Sequence, residues 1–288
     1  MPPSPYMLKL PRARSTSVVF SSPHSGRDYP AAFLKASMLD EWSIRSSEDA
    51  FVDELFGAAP EFGAPLLAAT TPRAFIDVNR SAEELDPALV EGAPRSAHNP
   101  RISSGLGVIP RVVANGRVIY RGKISRADAD ARIAAHWQPY HATLRGLVEE
   151  ALAAFGEAIL IDCHSMPHEA IEQVSAPGAR RPDVVLGDRF GAAAAVEVVE
   201  RIEAAFAGAG LRVARNAPFA GAYIAQAYGR PSRGTHVVQV EIDRALYMDE
   251  RTVAPGPDFE AFRALMTSVV AELAAIGRGG AALPLAAE

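Results

Sequence analysis

Two histidines stand just beyond β-rich runs: His24 in TSVVFSSPHSG and His164 in AILIDCHSMPH. In open α/β sheets, ligands bind beyond the carboxyl ends of the strands, so both rings fall where chemistry is done. Two histidines and one carboxylate leave an open position on zinc, the usual layout of a hydrolytic metal site. Glu48 and Asp49, in SSEDAFVDELF, offer that carboxylate, with Asp53 and Asp162 as competitors. No short-range spacing of the H-E-x-x-H kind joins these residues, so a triad would have to be assembled by the fold. Cys163 adjoins His164, but neighbours on an extended segment point to opposite faces, and the thiol reads as a small buried side chain.

Glu241 lies inside VVQVEID, where alternation places it on one face with Gln239 and Asp243. Such a carboxylate belongs either to the solvated face of an edge strand or to a buried site, there as a general base of raised pKa. Asn79 and Arg80 close the run RAFIDVNR, and a guanidinium at a strand end suits a fork gripping a carboxylate. Arg73, Arg121, Arg180, Arg181 and Arg189 also fall in loops, where a solvated surface position is the default. GAYIAQAYGRPSRG, with Tyr223 and Tyr228, reads as a mobile loop, either a lid or a connection. His98, His136, His141, His168 and His236 are weaker candidates. His136 and His141 belong to the packing boundary of a helix near Trp137, and His168 to a loop beside the site.

These side chains need strands and helices to hold them. The patterns predict strands at TSVVF, APLLAAT, RAFIDVNR, residues 158–162, DVVLG, LRVARN and THVVQVEIDRALY. They predict helices over about 48–59, 125–155, GAAAAVEVVERIEAAFAGAG and DFEAFRALMTSVVAELAAIG. RVVANGRVIY carries Asn115-Gly116, the strongest short hairpin signal. Residues 81–110 show no period and read as a long, functional excursion. Strands alternating with helices indicate one α/β sandwich, largely parallel, helices on both faces.

The totals narrow the function classes. The 288 residues carry a net charge of -5 with no basic block, which argues against a nucleic-acid surface. One cysteine excludes an internal disulfide or a cysteine-based zinc cluster and fits a reducing cytoplasm. No apolar run reaches the roughly 20 residues of a membrane span, and the start has no secretory pattern.

With SSPHSG, EDAFVDELF, RAFIDVNR, IDCHSMP, GAYIAQAYG and VVQVEIDRALYMDE in this order, the chain resembles the N-formylglutamate amidohydrolase family over about residues 17–250. The resemblance implies a zinc carboxypeptidase-like three-layer α/β sandwich with a mostly parallel mixed sheet, of the phosphorylase/hydrolase-like type. A single domain over 1–288 is expected, its core about 17–277 and its tail 278–288 disordered. The implied reaction, late in histidine breakdown, is hydrolysis of N-formyl-L-glutamate to formate and glutamate by a cytoplasmic enzyme. Its partner is a small acyl amino acid, without nucleic acid or membrane, and the oligomeric state is open. By motif, His24 and His164 are implied to ligate one Zn2+ ion, with Co2+ or Mn2+ as other occupants. Asp49 is the implied third ligand, with Glu48 the alternative. Asn79 and Arg80 are implied to grip a substrate carboxylate, Arg73 or Arg121 a second, and Glu241 is the implied base. A family loop of GGHI type reads Gly221-Ala222-Tyr223-Ile224 here. Tyr223 therefore stands at a histidine position, which makes the substrate side the point of departure. The same scaffold also admits hydrolysis of another N-acyl amino acid or small peptide, or an inactive binding protein.

Overall fold

The computed structural model describes residues 4–94, 99–172 and 181–278. Seven strands form its main sheet: β1 (Tyr6–Lys9), β2 (Val18–Ser22), β3 (Leu66–Ala69), β4 (Ala158–Met166), β5 (Val184–Gly187), β6 (Val213–Arg215) and β7 (Thr235–Asp243). Their spatial order is β1-β3-β2-β4-β7-β5-β6. The centre, β3-β2-β4-β7, is parallel, whereas β1 and β5 run antiparallel to their inner neighbours. The helices are α1 (Ala31–Ala36), α2 (Val52–Leu55), α3 (Pro100–Ser103), α4 (Arg126–Arg132), α5 (Gln138–Phe155), α6 (His168–Glu172), α7 (Val196–Gly208), α8 (Tyr223–Tyr228) and α9 (Phe259–Ile276).

Every residue of β4 and β7 is buried, because both sheet faces are covered. On one face α5 packs Tyr140, Leu144, Leu147 and Val148 against Val19, Leu67, Leu160 and Val237. On the other, α7 and α9 press Ile202, Phe206, Met266, Val270 and Leu273 onto Val18, Phe20, Ile161, Val238 and Val240. This is the three-layer α/β sandwich the patterns predict. Since β7 lies between β4 and β5, the edge-strand reading of Glu241 is excluded.

Several local expectations change. The helix expected over 48–59 is interrupted: a short 3-10 turn ends at Ser47, Phe51 takes a left-handed φ of 65°, and only α2 is α-helical. RAFIDVNR forms consecutive turns rather than a strand, because its polar groups bond inward to the site instead of to a sheet neighbour. The hairpin shrinks to a turn with Asn115 and Gly116 at φ 59° and 68° and one bridge, Val112–Val118. GAYIAQAYGRPSRG is no open loop, since α8 buries Ile224 and Ala225. The described parts of the 81–110 excursion, with their neighbours, form a separate apolar cluster of Phe33, Ile76, Leu89, Val90, Ile109 and Ile119, whose Val113 also lines the cavity described below. His98, Arg180 and the 279–288 part of the tail lie outside the described residues.

Candidate metal and acid–base site

Strand order reverses around β2: β3 lies on one side of it and β4 on the other, which opens a crevice at their carboxyl ends. His24 follows β2 by two residues, and His164 sits near the end of β4. Asp49 is brought up by a backbone bond from its N–H to the carbonyl of His24, 3.0 Å. One nitrogen from each histidine and one Asp49 oxygen all lie within 4.8 Å of one another, and all three residues are buried. The left-handed Phe51 turns the chain away directly after this carboxylate, a conformation unusual for a non-glycine residue and tolerated only where the surroundings enforce it.

The outward nitrogens are anchored. His24 Nε2 donates to Asp77 Oδ1 at 2.7 Å, and His164 Nε2 stands 3.1 Å from Asp162 Oδ2 and 3.0 Å from Asn79 Nδ2. The Nδ1 atoms face Asp49 Oδ2, at 3.3 Å from His24 and 2.9 Å from His164. His24 Nδ1 is buried without a hydrogen-bond partner. An orphaned imidazole nitrogen, a second imidazole and a carboxylate around one point, each ring fixed from behind by a carboxylate, fit a divalent cation. Burial opposes the Asp49 charge, yet the hydrogen bond from His164 and the nearness of both imidazoles hold its carboxyl well below the usual range. Burial likewise depresses His164, but Asp162, Asp49 and Glu241 outweigh it and raise the imidazole well above its ordinary value.

Glu241 stands beside His164 in the β4–β7 register. Burial first, with Asp49 adding, pushes its carboxyl up to about 8 against the opposing His164 and Arg73 charges. Gln239, two residues back on the same face, donates Nε2 to Glu241 Oε1 at 2.7 Å. Its Oε1 accepts from Ala222 N at 2.8 Å. That loop reaches Gln239 because Gly187 has no side chain, as a Cβ there would lie 2.6 Å from Gly221 N.

The expected residues divide clearly. His24, Asp49, His164, Glu241, Arg73, Asn79 and Arg80 all line one cavity of about 660 Å3. Glu48 points elsewhere, its oxygens taken by Arg45 and the Tyr29 hydroxyl, so the Asp49/Glu48 alternative closes on Asp49 as the residue in the cluster. Asp53 pairs with Arg27. Arg121 is exposed and lies off the cavity wall. Tyr223 is also off that wall, its ring packed near Trp137 and His141, because the helical turn of α8 swings it to the α5 side. Asn79 has a different task from the one expected. Its Oδ1 accepts from Ile224 N at 2.7 Å and its Nδ2 meets Asp162 and His164, so the amide positions protein rather than substrate. His136, His141, His168 and His236 find partners in Thr71, Tyr228, Asp243 and Ala195 N. Cys163 is buried among the residues of the opposite layer, its thiol pushed up by burial.

Four residues escaped sequence reading. Asp77 lies two positions before Asn79, and its carboxylate in a run of site residues was a usable signal. Gln239, Arg101 and Arg244 offered none in sequence. Arg244 is buried, with Nη2 3.0 Å from Asp49 Oδ1 and Nε donating to Ser165 Oγ, so it fixes the free side of the Asp49 carboxylate.

The mixed α/β sandwich gathers two histidines and a carboxylate beyond the carboxyl ends of β2 and β4, a donor set that could hold a metal ion. The model of the N-formylglutamate amidohydrolase family matches residues 16–248, and the chain belongs to that family. An N-formylglutamate deformylase of Pseudomonas aeruginosa is 31% identical over 94% of this chain and 97% of its own length. Another, from Pseudomonas putida, is 27% identical over 81% and 82% of the two chains. A crystal structure of N-formylglutamate amidohydrolase from Ralstonia eutropha JMP134 superposes with a TM-score of 0.88 at 36% identity, covering 96% of this chain and 99% of that one.

Proposed function

We propose that the protein, as one domain over residues 1–288, is a zinc-dependent amidohydrolase that hydrolyses N-formyl-L-glutamate to formate and L-glutamate in the cytoplasm. The observation that carries this reading is the buried His24–Asp49–His164 cluster with Glu241 beside it. Membership of the family and the named activity of the Pseudomonas relatives support the substrate. The two histidines and Asp49 would hold Zn2+, with Co2+ or Mn2+ as substitutes. A bound ion of this kind supplies Lewis acidity toward the formyl oxygen and lowers the pKa of water.

The chain's own residues do the rest. Glu241, whose raised proton affinity suits a base working near neutrality, takes a proton from the attacking water. Water oxygen adds to the formyl carbon, the C–N bond breaks, and Glu241 returns the proton to the departing amine. Arg73 lies close enough to Asp49, Asp77 and Glu241 to feel all three, which places its charge where the oxyanion develops. Arg80 opposes a substrate carboxylate. Gln239 holds Glu241 in its rotamer, and Asp77 and Asp162 hold the two rings.

A second reading, hydrolysis of a longer N-acyl amino acid or small peptide at the same centre, is favoured by a cavity of about 660 Å3, ample for a larger acyl group. The test is metal analysis with deformylation assayed before and after chelation. About one zinc per chain, with activity lost on chelation and restored by metal, is expected. Bound metal with turnover only on longer acyl groups would favour the second reading. Deformylation that survives full metal removal would overturn both.

A further inference from the structure

The arginines on the cavity wall are not equivalent. Arg73 faces three carboxylates, Asp77 at 2.9 Å with Asp49 and Glu241 nearby, and Arg244 bonds Asp49, Ser165 and the Ser46 carbonyl. Arg80 directs Nε and Nη1 to the carbonyls of Leu106 and Asn79, which leaves Nη2 without a partner among the described residues. Arg101 lines the same cavity, and its guanidinium has no hydrogen-bond or ion-pair partner among the described residues.

The Arg101 backbone is firmly placed. Asn99 Oδ1 accepts from Arg101 N at 3.0 Å and from Ile102 N, Pro100 starts α3, and Ile102 is buried. The two guanidinium groups also feel each other. Burial lowers the pKa of Arg80, and the neighbouring Arg73 and Arg101 charges lower it further, against the pull of Asp77 and Glu84. Like charges side by side in a partly buried wall repel, and an anion between them relieves the repulsion. A planar fork with free N–H groups matches a carboxylate.

We infer that Arg101 joins the free nitrogen of Arg80 on one carboxylate, the side-chain carboxylate of an N-acyl dicarboxylic amino acid. This subsite makes the enzyme select acidic over neutral amino acids. It deepens the amidohydrolase reading and rests on it. A neutral amide isostere leaves both cations unpaired in the wall, and a site built to pair a polar group rejects analogues lacking it.

The test measures binding of L-glutamate and L-glutamine by calorimetry to the full-length protein, its R101Q variant and its R101K variant. Their kcat/KM values on N-formyl-L-glutamate and N-formyl-L-glutamine are measured in parallel. The wild type is expected to prefer the acid, and R101Q to lose about 10–100-fold of that preference, the range of a lost charge-assisted bond. R101K should recover part of it, which an unfolded variant could not. An unchanged glutamate-to-glutamine ratio in R101Q, or no preference in the wild type, would overturn the subsite. If L-glutamate is preferred in binding but neither formyl compound is hydrolysed, the subsite stands and the deformylase reading falls.

Discussion

His164 and His141 are both almost wholly buried, yet the protein treats them in opposite ways. His164 is ringed by Asp49, Asp162 and, across the β4–β7 register, Glu241. His141 on α5 is hydrogen-bonded to neutral groups, with the Arg145 and Asp162 charges acting on it in opposite directions: Nε2 donates to the Val78 carbonyl at 2.8 Å, Nδ1 lies 2.8 Å from the Tyr228 hydroxyl, and the Trp137 ring is centred 4.1 Å away. Burial pulls both imidazoles toward neutrality. At His141 nothing of comparable size opposes it, and the ring falls to about 4. At His164 three carboxylates reverse the sign. The burial penalty is common to both, so the partner set decides whether a buried histidine stays neutral or favours its charged form.

The largest test of this contrast is Glu241→Gln, which removes the proton acceptor while keeping the shape. Turnover should fall about 10^3-fold, within the range of general acid–base catalysis, with metal content unchanged. Unaltered kcat in that variant would sink the base assignment. Next in size is the acid limb of stability. With His141 at about 4 in the folded chain and 6.5 unfolded, its contribution is complete above pH 6.5 and disappears as pH falls toward 4. The loss should be roughly 3 kcal/mol, and His141→Gln should flatten that limb in denaturant titrations at several pH values whatever its effect at neutrality. An equally steep limb in the variant would show that other groups govern acid unfolding. The smallest effect is expected from Asp77→Asn, which loosens the outer hold on His24 without touching a proposed ligand. Metal affinity should drop about 10–100-fold in a competition titration, and a drop below 2-fold would mean that packing alone orients His24.

Much of the site could be read from residue order because its members cluster on strand ends. The runs SSPHSG and IDCHS carry their histidines within two or three residues of a β-rich stretch, so local pattern locates them. Asn79 was legible as a site residue but not in its task, since its two amide partners, Ile224 and the Asp162–His164 pair, are separated from it by 145 and 83 to 85 residues. Arg121 and Tyr223 looked as suitable as Arg101 did not. Which loop arginine faces a cavity depends on the turns before it, and those turns follow from packing among Phe33, Leu89 and Ile109.

By itself, the order of polar and apolar residues determined the alternation of strands and helices and marked His24, His164 and Glu241 as polar residues at or within apolar runs, whereas the burial of β7 followed from its place between β4 and β5. That information is local, carried by periodicity and by the cost of burying a charge. Tertiary structure alone decided that Asp49 and not Glu48 joins the cluster, that Asp77 and Arg244 brace it, and that Arg101 faces the cavity with no counter-charge among the described residues. Those choices depend on which side chains meet across the ends of β2, β4 and β7, and contacts between residues distant in the chain leave no mark on its local pattern.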